Sequence, residues 1–143
     1  MGWQQGHEAR HVWYLRDHVA ELLPWTSPTV TRATGFPVMR LELLPALSLV
    51  ASNATGHWRI EVRPDFPRDS SPPERRIDLA VRSDRDVTTV AEHVVAACLE
   101  QWRHTVTSSD APPAMQAKAM EHLEAVAYHQ ADRTAAPRSS QVR

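Results

Sequence analysis

The sequence predicts an α+β fold, in which one helix precedes an antiparallel sheet of about four strands and two helices follow it. Three features of the sequence support this prediction. Apolar residues recur at helical spacing near both ends of the chain, they alternate with polar residues in its middle part, and turn-forming residues separate the alternating segments. Alternating strands joined by short or polar connections favour an antiparallel sheet that keeps one face in water.

The first predicted helix covers residues 7–23. Its apolar residues follow helical spacing and share one side of the helix, and they are Val12, Leu15, Val19, Leu22 and Leu23. The helix ends before Pro24, because a proline has no backbone N–H and its ring clashes with the preceding turn of a helix.

Extended segments follow at residues 38–44, 47–52, 57–63 and 75–82, with residues 29–33 as a further candidate strand. The segment at 57–63 has the clearest pattern, because Trp58, Ile60 and Val62 alternate with polar residues. The turn before it ends in Gly56, which adopts positive φ without steric cost and so suits a hairpin. A polar, proline-rich loop at residues 64–74 separates the last two strands.

Two helices are predicted after the sheet. The second helix of the chain covers residues 86–105, with Asp86 as its N-cap, and its wide apolar face is expected to lie on the sheet. The third covers residues 114–131 and has a narrower apolar stripe. The chain therefore divides into an α+β core domain at 1–110, a C-terminal helix at 111–131 that packs on the core or on a partner, and a disordered tail at 132–143.

The composition argues against several classes of function. With 16 basic and 17 acidic residues the formal net charge is −1, so no overall positive field attracts nucleic acid or an anionic membrane. The chain has only 4 glycines, and they are not grouped as in phosphate-binding loops, which argues against a nucleotide-binding fold. The most apolar stretch, residues 41–51, is far shorter than the roughly twenty residues of a transmembrane helix.

The chain is expected to be a cytoplasmic protein of a bacterium. Its single cysteine, Cys98, rules out an intrachain disulfide, and its first residues lack the basic start and apolar run of a signal peptide. Arginine far outnumbers lysine, and alanine, valine and proline are plentiful, which is typical of a GC-rich bacterial genome.

One motif suggests enzymatic chemistry. Residues 7–11 read His-Glu-Ala-Arg-His, which fits the H-E-x-x-H pattern of zinc-dependent peptidases. Residues four apart on a helix face the same way, so His7 and His11 could share one Zn²⁺, and Glu8 could accept a proton from the metal-bound water. Asp17 and His18 are the nearby candidates for a third ligand.

Other features of the same segment favour a structural role. The motif begins at residue 7, with no strand before it to bind a substrate, and Arg10 puts a charge inside it. The longer zinc-peptidase pattern requires glycine at Tyr14 and histidine at Asp17. Histidines beside an apolar stripe can pack against the core and keep one ring nitrogen in water. A zinc hydrolase is therefore the alternative interpretation of the chain.

The leading interpretation is a non-catalytic accessory or regulatory protein that binds protein, including itself, and needs no cofactor. Methionine and alanine give the third helix an adaptable face for packing, and tryptophan is enriched where proteins meet. The predicted contact residues are Met115, Ala119, Leu123 and Val126, together with Trp13, which lies off the stripe of the first helix. Cys98 lies in the middle of an apolar face and is expected to be part of the core.

Metal analysis distinguishes the two interpretations. We expect protein purified without added metal to contain well under one zinc per chain, because two histidines on a helix edge bind zinc weakly without further ligands. Stoichiometric zinc that disappears in His11→Ala would overturn the leading interpretation. Glu8→Gln is the matched control, because it keeps both imidazoles and so leaves any bound zinc in place.

Overall fold

The computed structural model of the chain describes residues 2–33, 36–54, 57–65, 73–80 and 86–141, and the side chains of residues 2–9, 33, 36, 54 and 133–141 lie outside this description. The elements, in chain order, are α1 (Gly2–Leu22), a short 3₁₀ helix (Pro24–Thr26), β1 (Thr29–Ala33), β2 (Phe36–Leu44), β3 (Leu47–Ala54), β4 (His57–Pro64), β5 (Arg75–Leu79), α2 (Val87–Thr107) and α3 (Pro113–Gln141). The predicted α+β fold, with one helix before an antiparallel sheet and two helices after it, is confirmed.

The sheet has five strands rather than about four, because residues 29–33 form a strand. β1 pairs antiparallel with β2, from Thr29 opposite Arg40 to Ala33 opposite Phe36. The five-residue segment is too short to show a decisive alternation, and its pairing with the longer β2 provides the backbone hydrogen bonds that a strand needs. The spatial order is β1-β2-β3-β4-β5, and every neighbouring pair is antiparallel.

One face of the sheet forms the core. Residues that lie opposite each other in the register share a face, so Met39, Ala51 and Ile60 form a row across β2, β3 and β4. Each of these side chains is at most 1% exposed. The next row on the same face is Leu41, Leu49 and Val62. The predicted inward residues of these strands are therefore buried.

Helix α1 covers part of this apolar face. It contacts β1, β2 and β3, and its Val12, Leu15 and Val19 are fully buried. Full burial of one such aliphatic side chain contributes roughly 1.5–3 kcal/mol of hydrophobic free energy. These are residues of the predicted apolar stripe, so helical spacing correctly identified the side of α1 that faces the core.

The chain separates into two compact units, Met1–Cys98 and Leu99–Arg143, and the break lies inside α2. In the first unit, the α2 residues Val87, Val90 and Val94 are buried, as their spacing predicted. In the second unit, the ring of Trp102 stacks on the ring of His122 with centroids 4.4 Å apart. The side chain of Gln116 also donates to the carbonyl of Ser108 at 2.7 Å, which joins α3 to the connection before it.

Helix α3 is longer than the predicted residues 114–131 and continues to Gln141. It begins at Pro113. Proline is tolerated at the first position of a helix because a backbone N–H there has no acceptor within the helix. Alanines favour helix in the added part, although Pro137 removes one backbone donor there. The helix therefore covers residues 132–141 of the segment that was predicted to be disordered, and residues 142–143 lie outside the described part.

A membrane-spanning segment is not found among the described residues, since none of their helices combines sufficient length with sufficient apolar character.

The connection between β2 and β3 holds a strained residue. Pro45 and Ala46 join the strands, and Ala46 has φ of 69°, in the left-handed region. The Cβ of a non-glycine residue clashes with the following carbonyl there, which costs roughly 1–2 kcal/mol. The carbonyl of Ala46 accepts a hydrogen bond of 2.9 Å from the N–H of Asp65, so the end of β4 also depends on this turn.

We expect Ala46→Gly to raise the free energy of unfolding by roughly 0.5 kcal/mol. Glycine removes the left-handed strain, and its greater freedom in the unfolded chain offsets roughly 0.4–1 kcal/mol of that gain. Urea unfolding measures the effect. The control is Ala96→Gly on the exposed side of α2, which should lower stability by roughly 1 kcal/mol because its φ is helical. Equal destabilisation by both substitutions would contradict the assignment of strain to Ala46.

Candidate functional site

The histidines of α1 lie along one edge of the helix. His11 and His18 are half-buried, and the exposed Asp17 pairs with Arg16 at 3.3 Å between Oδ1 and Nε. Because α1 is continuous, Asp17 and His18 lie about 9 and 10.5 Å along the axis from His11, too far to share one ion with it. A third ligand for a His7–His11 zinc site would therefore have to come from another part of the chain.

Among the residues that the structure describes, no three histidine, cysteine or carboxylate side chains converge as metal ligands. The side chains of His7 and Glu8 lie outside the described part, so the zinc motif stays a prediction.

Trp13 lies on the flank of α1, away from the core stripe. Its side chain is 45% exposed, and the guanidinium carbon of Arg16 lies 4.8 Å from the centre of its ring. The Arg16 Nε is buried and has no hydrogen-bond partner. The Asp17 carboxylate lies 3.3 Å away, but its oxygen is not aligned with the N–H bond. This contact between a cation and an aromatic ring holds Trp13 against α1 with part of the ring in solvent.

Cys98 lies in the core, as its position in the sequence predicted. Its side chain is fully buried, and burial raises the pKa of its thiol well above the usual range. The thiolate is the form of cysteine that attacks substrates or binds metals. Cys98 therefore packs in the core and does not act as a nucleophile.

The residues predicted to contact a partner lie mainly on the inner side of α3. Ala119 is fully buried and Val126 is 8% exposed, while Met115 and Leu123 are half-buried. These side chains are therefore largely used within the chain itself. The helix was predicted to pack on the core or on a partner, because sequence spacing identifies an apolar side of a helix without showing what covers it.

The exposed part of α3 carries apolar residues as well. Met120 is 42% exposed and Tyr128 is 79% exposed. The outer face of α3 consists of the exposed residues Ala117, Met120, Glu124, Ala127, Tyr128 and Ala131. Helical spacing places these residues together, so the sequence contained this signal beside the stronger signal of the inner stripe.

The solvent-facing side of the sheet holds a polar cluster that sequence reasoning did not find. Ser48 donates from its hydroxyl to Oδ1 of Asp65 at 2.5 Å, and the Arg40 guanidinium donates to the same oxygen at 2.7 Å. Ser48 is only 2% exposed, and the side chain of Asp65 is 14% exposed. The cluster joins β2, β3 and the end of β4. Its members are far apart in sequence, so local patterns could not associate them.

The electrostatics of Asp65 limit what this cluster can do chemically. The hydrogen bond from Ser48 and the charge and hydrogen bond of Arg40 lower the pKa of Asp65, against a smaller opposing effect of burial. An efficient general base has a pKa near the working pH. Asp65 is therefore a poor base for activating the Ser48 hydroxyl. The cluster instead stabilises the sheet by linking β2, β3 and the end of β4 through hydrogen bonds.

A narrow slot lies beside this cluster on the same face of the sheet. It has a volume of about 250 Å³, and its lining residues are Arg40, Ser48, Val50, Arg63, Pro64 and Asp65. Arg40 on β2 lies opposite Val50 on β3, whereas Arg63 on β4 lies opposite Ser48, two residues away along β3. The guanidinium of Arg63 donates to Glu61 at 3.2 and 3.4 Å. We call this feature the arginine slot.

Comparison with known proteins gives no functional lead, because no protein-family model, no curated protein and no solved structure matches this chain. The candidate surfaces are therefore defined by geometry alone.

We expect Asp65→Asn to lower the free energy of unfolding by roughly 1–3 kcal/mol at neutral pH, because it removes hydrogen bonds to a charged acceptor. Since the folded-state pKa of Asp65 is below the unfolded value, its stabilisation is present above about pH 4 and is lost as the pH falls through the folded pKa. Urea unfolding at several pH values measures this. The difference between wild type and variant should shrink below about pH 4.

The control for this experiment is Asp110→Asn, at an exposed aspartate between α2 and α3. It should change stability by less than about 0.5 kcal/mol. A difference between wild type and Asp65→Asn that is the same at every pH would contradict the role of the ionised carboxylate.

Proposed function

We propose that this chain is a non-catalytic accessory or regulatory protein of the bacterial cytoplasm that acts by binding protein, and that it self-associates through the outer face of α3. The observation that carries the proposal is that Met120 and Tyr128 are exposed on α3, away from the side that buries Ala119 and Val126. A surface helix of a globular protein has one apolar side, whereas a helix that is apolar on two sides is typically covered on both.

The composition of this face suits contact with protein. Ala117, Ala127 and Ala131 are exposed beside the larger residues, and small side chains permit a close approach of another backbone. The thioether of Met120 adapts to irregular surfaces, and Tyr128 offers a large apolar area with a polar tip. Tyrosine is also among the residues that contribute most to binding at protein interfaces.

The described side chains give a catalytic alternative little support. The thiol of Cys98 is buried and protonated, and the carboxylate of Asp65 is a weak base beside Ser48. Binding is therefore the activity that the described surfaces favour.

Light scattering over a range of concentrations tests this proposal. We expect wild-type protein to show twice the 16.1 kDa mass of one chain or a higher multiple. Met120→Glu and Tyr128→Glu should each raise the dissociation constant at least tenfold, which corresponds to about 1.4 kcal/mol, because each places a charge in an apolar contact. Both positions are exposed, so the variants should keep the wild-type circular dichroism spectrum.

The matched control is Ala96→Glu on the exposed side of α2, which introduces the same charge on another helix and should leave self-association unchanged. A wild-type chain that stays monomeric at every concentration would overturn the proposal.

A further inference from the structure

We propose that β5 pairs antiparallel with β5 of a second copy of this chain, so that two five-stranded sheets become continuous around a two-fold axis at Ile77. This contact is separate from the outer face of α3, and each contact can form without the other.

β5 is an edge strand of the sheet. It pairs with β4 on one side, from Arg75 opposite Val62 to Leu79 opposite Trp58, and none of the described strands pairs with its other side. An edge strand presents backbone N–H and C=O groups along its outer side, and these groups form a ready template for another strand. β5 therefore has the backbone groups that a second strand needs.

The core face of the sheet is incompletely covered at β5. Ile77 and Leu79 are half-buried, whereas the residues opposite them on β4, Ile60 and Trp58, are each 1% exposed. Pairing around Ile77 would place the two Ile77 side chains opposite each other, and each Leu79 beside the aliphatic stem of Arg75 of the other chain. The contact would therefore remove apolar area from water.

The charges of β5 select one register. On the outer face of the sheet the strand carries one cation, Arg76, and one anion, Asp78, and both are exposed. In a two-fold pair centred on Ile77, Arg76 of each chain lies opposite Asp78 of the other. A two-fold axis at Arg76 or at Asp78 would instead place two like charges directly opposite each other, which is destabilising. The strand is therefore complementary to itself in one register.

The ion pairs within each chain extend across this contact. Asp78 accepts from Nε of Arg59 on β4 at 3.2 Å, and Glu61 on β4 lies opposite Arg76. Across the joined sheets, one row on the outer face would therefore consist of Arg59 and Asp78 of one chain, followed by Arg76 and Glu61 of the other. Neighbouring charges in this row alternate in sign.

The pair that Arg76 already makes does not oppose the contact. Its Nε lies 3.2 Å from Oδ2 of Asp78, two residues further along the same strand. The Cα atoms of such residues are about 6.6 Å apart, whereas those of directly opposite residues on antiparallel strands are about 4.5–5.5 Å apart. Asp78 of the other chain is therefore the nearer partner, and a carboxylate has two oxygens, so Arg59 can keep the other one.

Disulfide cross-linking tests the register on the full chain. Ile77 is the residue that lies opposite itself, so Ile77→Cys brings two thiols within the Cα separation of about 4.4–6.8 Å that a disulfide needs. The matched control is Leu79→Cys, whose two copies lie four residues out of register and about 13 Å apart. Under mild oxidation, Ile77→Cys should form roughly tenfold more covalent dimer than Leu79→Cys on a denaturing gel. The native Cys98 is buried and should not cross-link.

A mixture of two charge variants tests the pairing without a new cysteine. Both variants carry Met120→Glu, which weakens the proposed α3 contact. Arg76→Asp places aspartates opposite each other and Asp78→Arg places arginines opposite each other, so each should raise the dissociation constant of the β5 contact roughly tenfold. In the mixture every aspartate meets an arginine, and light scattering should show dimers. A mixture of Arg76→Asp with Arg76→Glu is the control and should stay monomeric, because its charges still repel.

The outcomes separate this inference from the proposed function. If wild-type chains self-associate but Ile77→Cys cross-links no better than Leu79→Cys, the β5 contact is wrong and the proposed function survives. If Met120→Glu and Tyr128→Glu associate as well as wild type while Ile77→Cys cross-links, the α3 contact is wrong and the β5 contact holds. The mixture decides the question if Ile77→Cys loses the wild-type circular dichroism spectrum. A wild-type chain that stays monomeric at every concentration would contradict both contacts.

Discussion

Burial of one face of the antiparallel sheet is the constraint on which the rest of the structure depends. The row of Met39, Ala51 and Ile60 is removed from water, and α1 contributes Val12 and Leu15 to the same core. A strand that turns one set of side chains inward must turn the alternate set outward. The alternate side chains therefore form the outer face of the sheet, and Arg40, Ser48 and Arg63 are placed there by the same register that buries the core.

Much of the fold could be predicted because its signals are local. The spacing of Val12, Leu15 and Val19 identified the buried side of α1, and the alternation of Trp58, Ile60 and Val62 identified the buried side of β4. β1 was uncertain in the sequence because five residues carry too little pattern, and its partner β2 stabilises it. The length of α3 was underestimated because alanines continue its helix beyond residue 131.

The candidate surfaces were harder to predict because they depend on contacts between distant residues. Ser48 lies in a mainly apolar strand, Asp65 follows the next strand, and only the register brings their side chains together. Similarly, the stripe that includes Ala119 was identified correctly as apolar, but sequence spacing does not show which apolar side a helix buries. In the structure Ala119 is buried and Tyr128 is exposed, so the stripe is the buried side.

The strand order has a consequence for how the sheet assembles. Every strand pairs with its neighbour in sequence, so three pairings close a connection of two residues and the fourth, between β4 and β5, closes one of ten. The conformational entropy lost on closing a loop grows with its length, and chains rich in contacts between sequence neighbours fold faster than those with distant pairings. The sheet can therefore grow one hairpin at a time, from any of its strands, without waiting for the two ends of the polypeptide to meet.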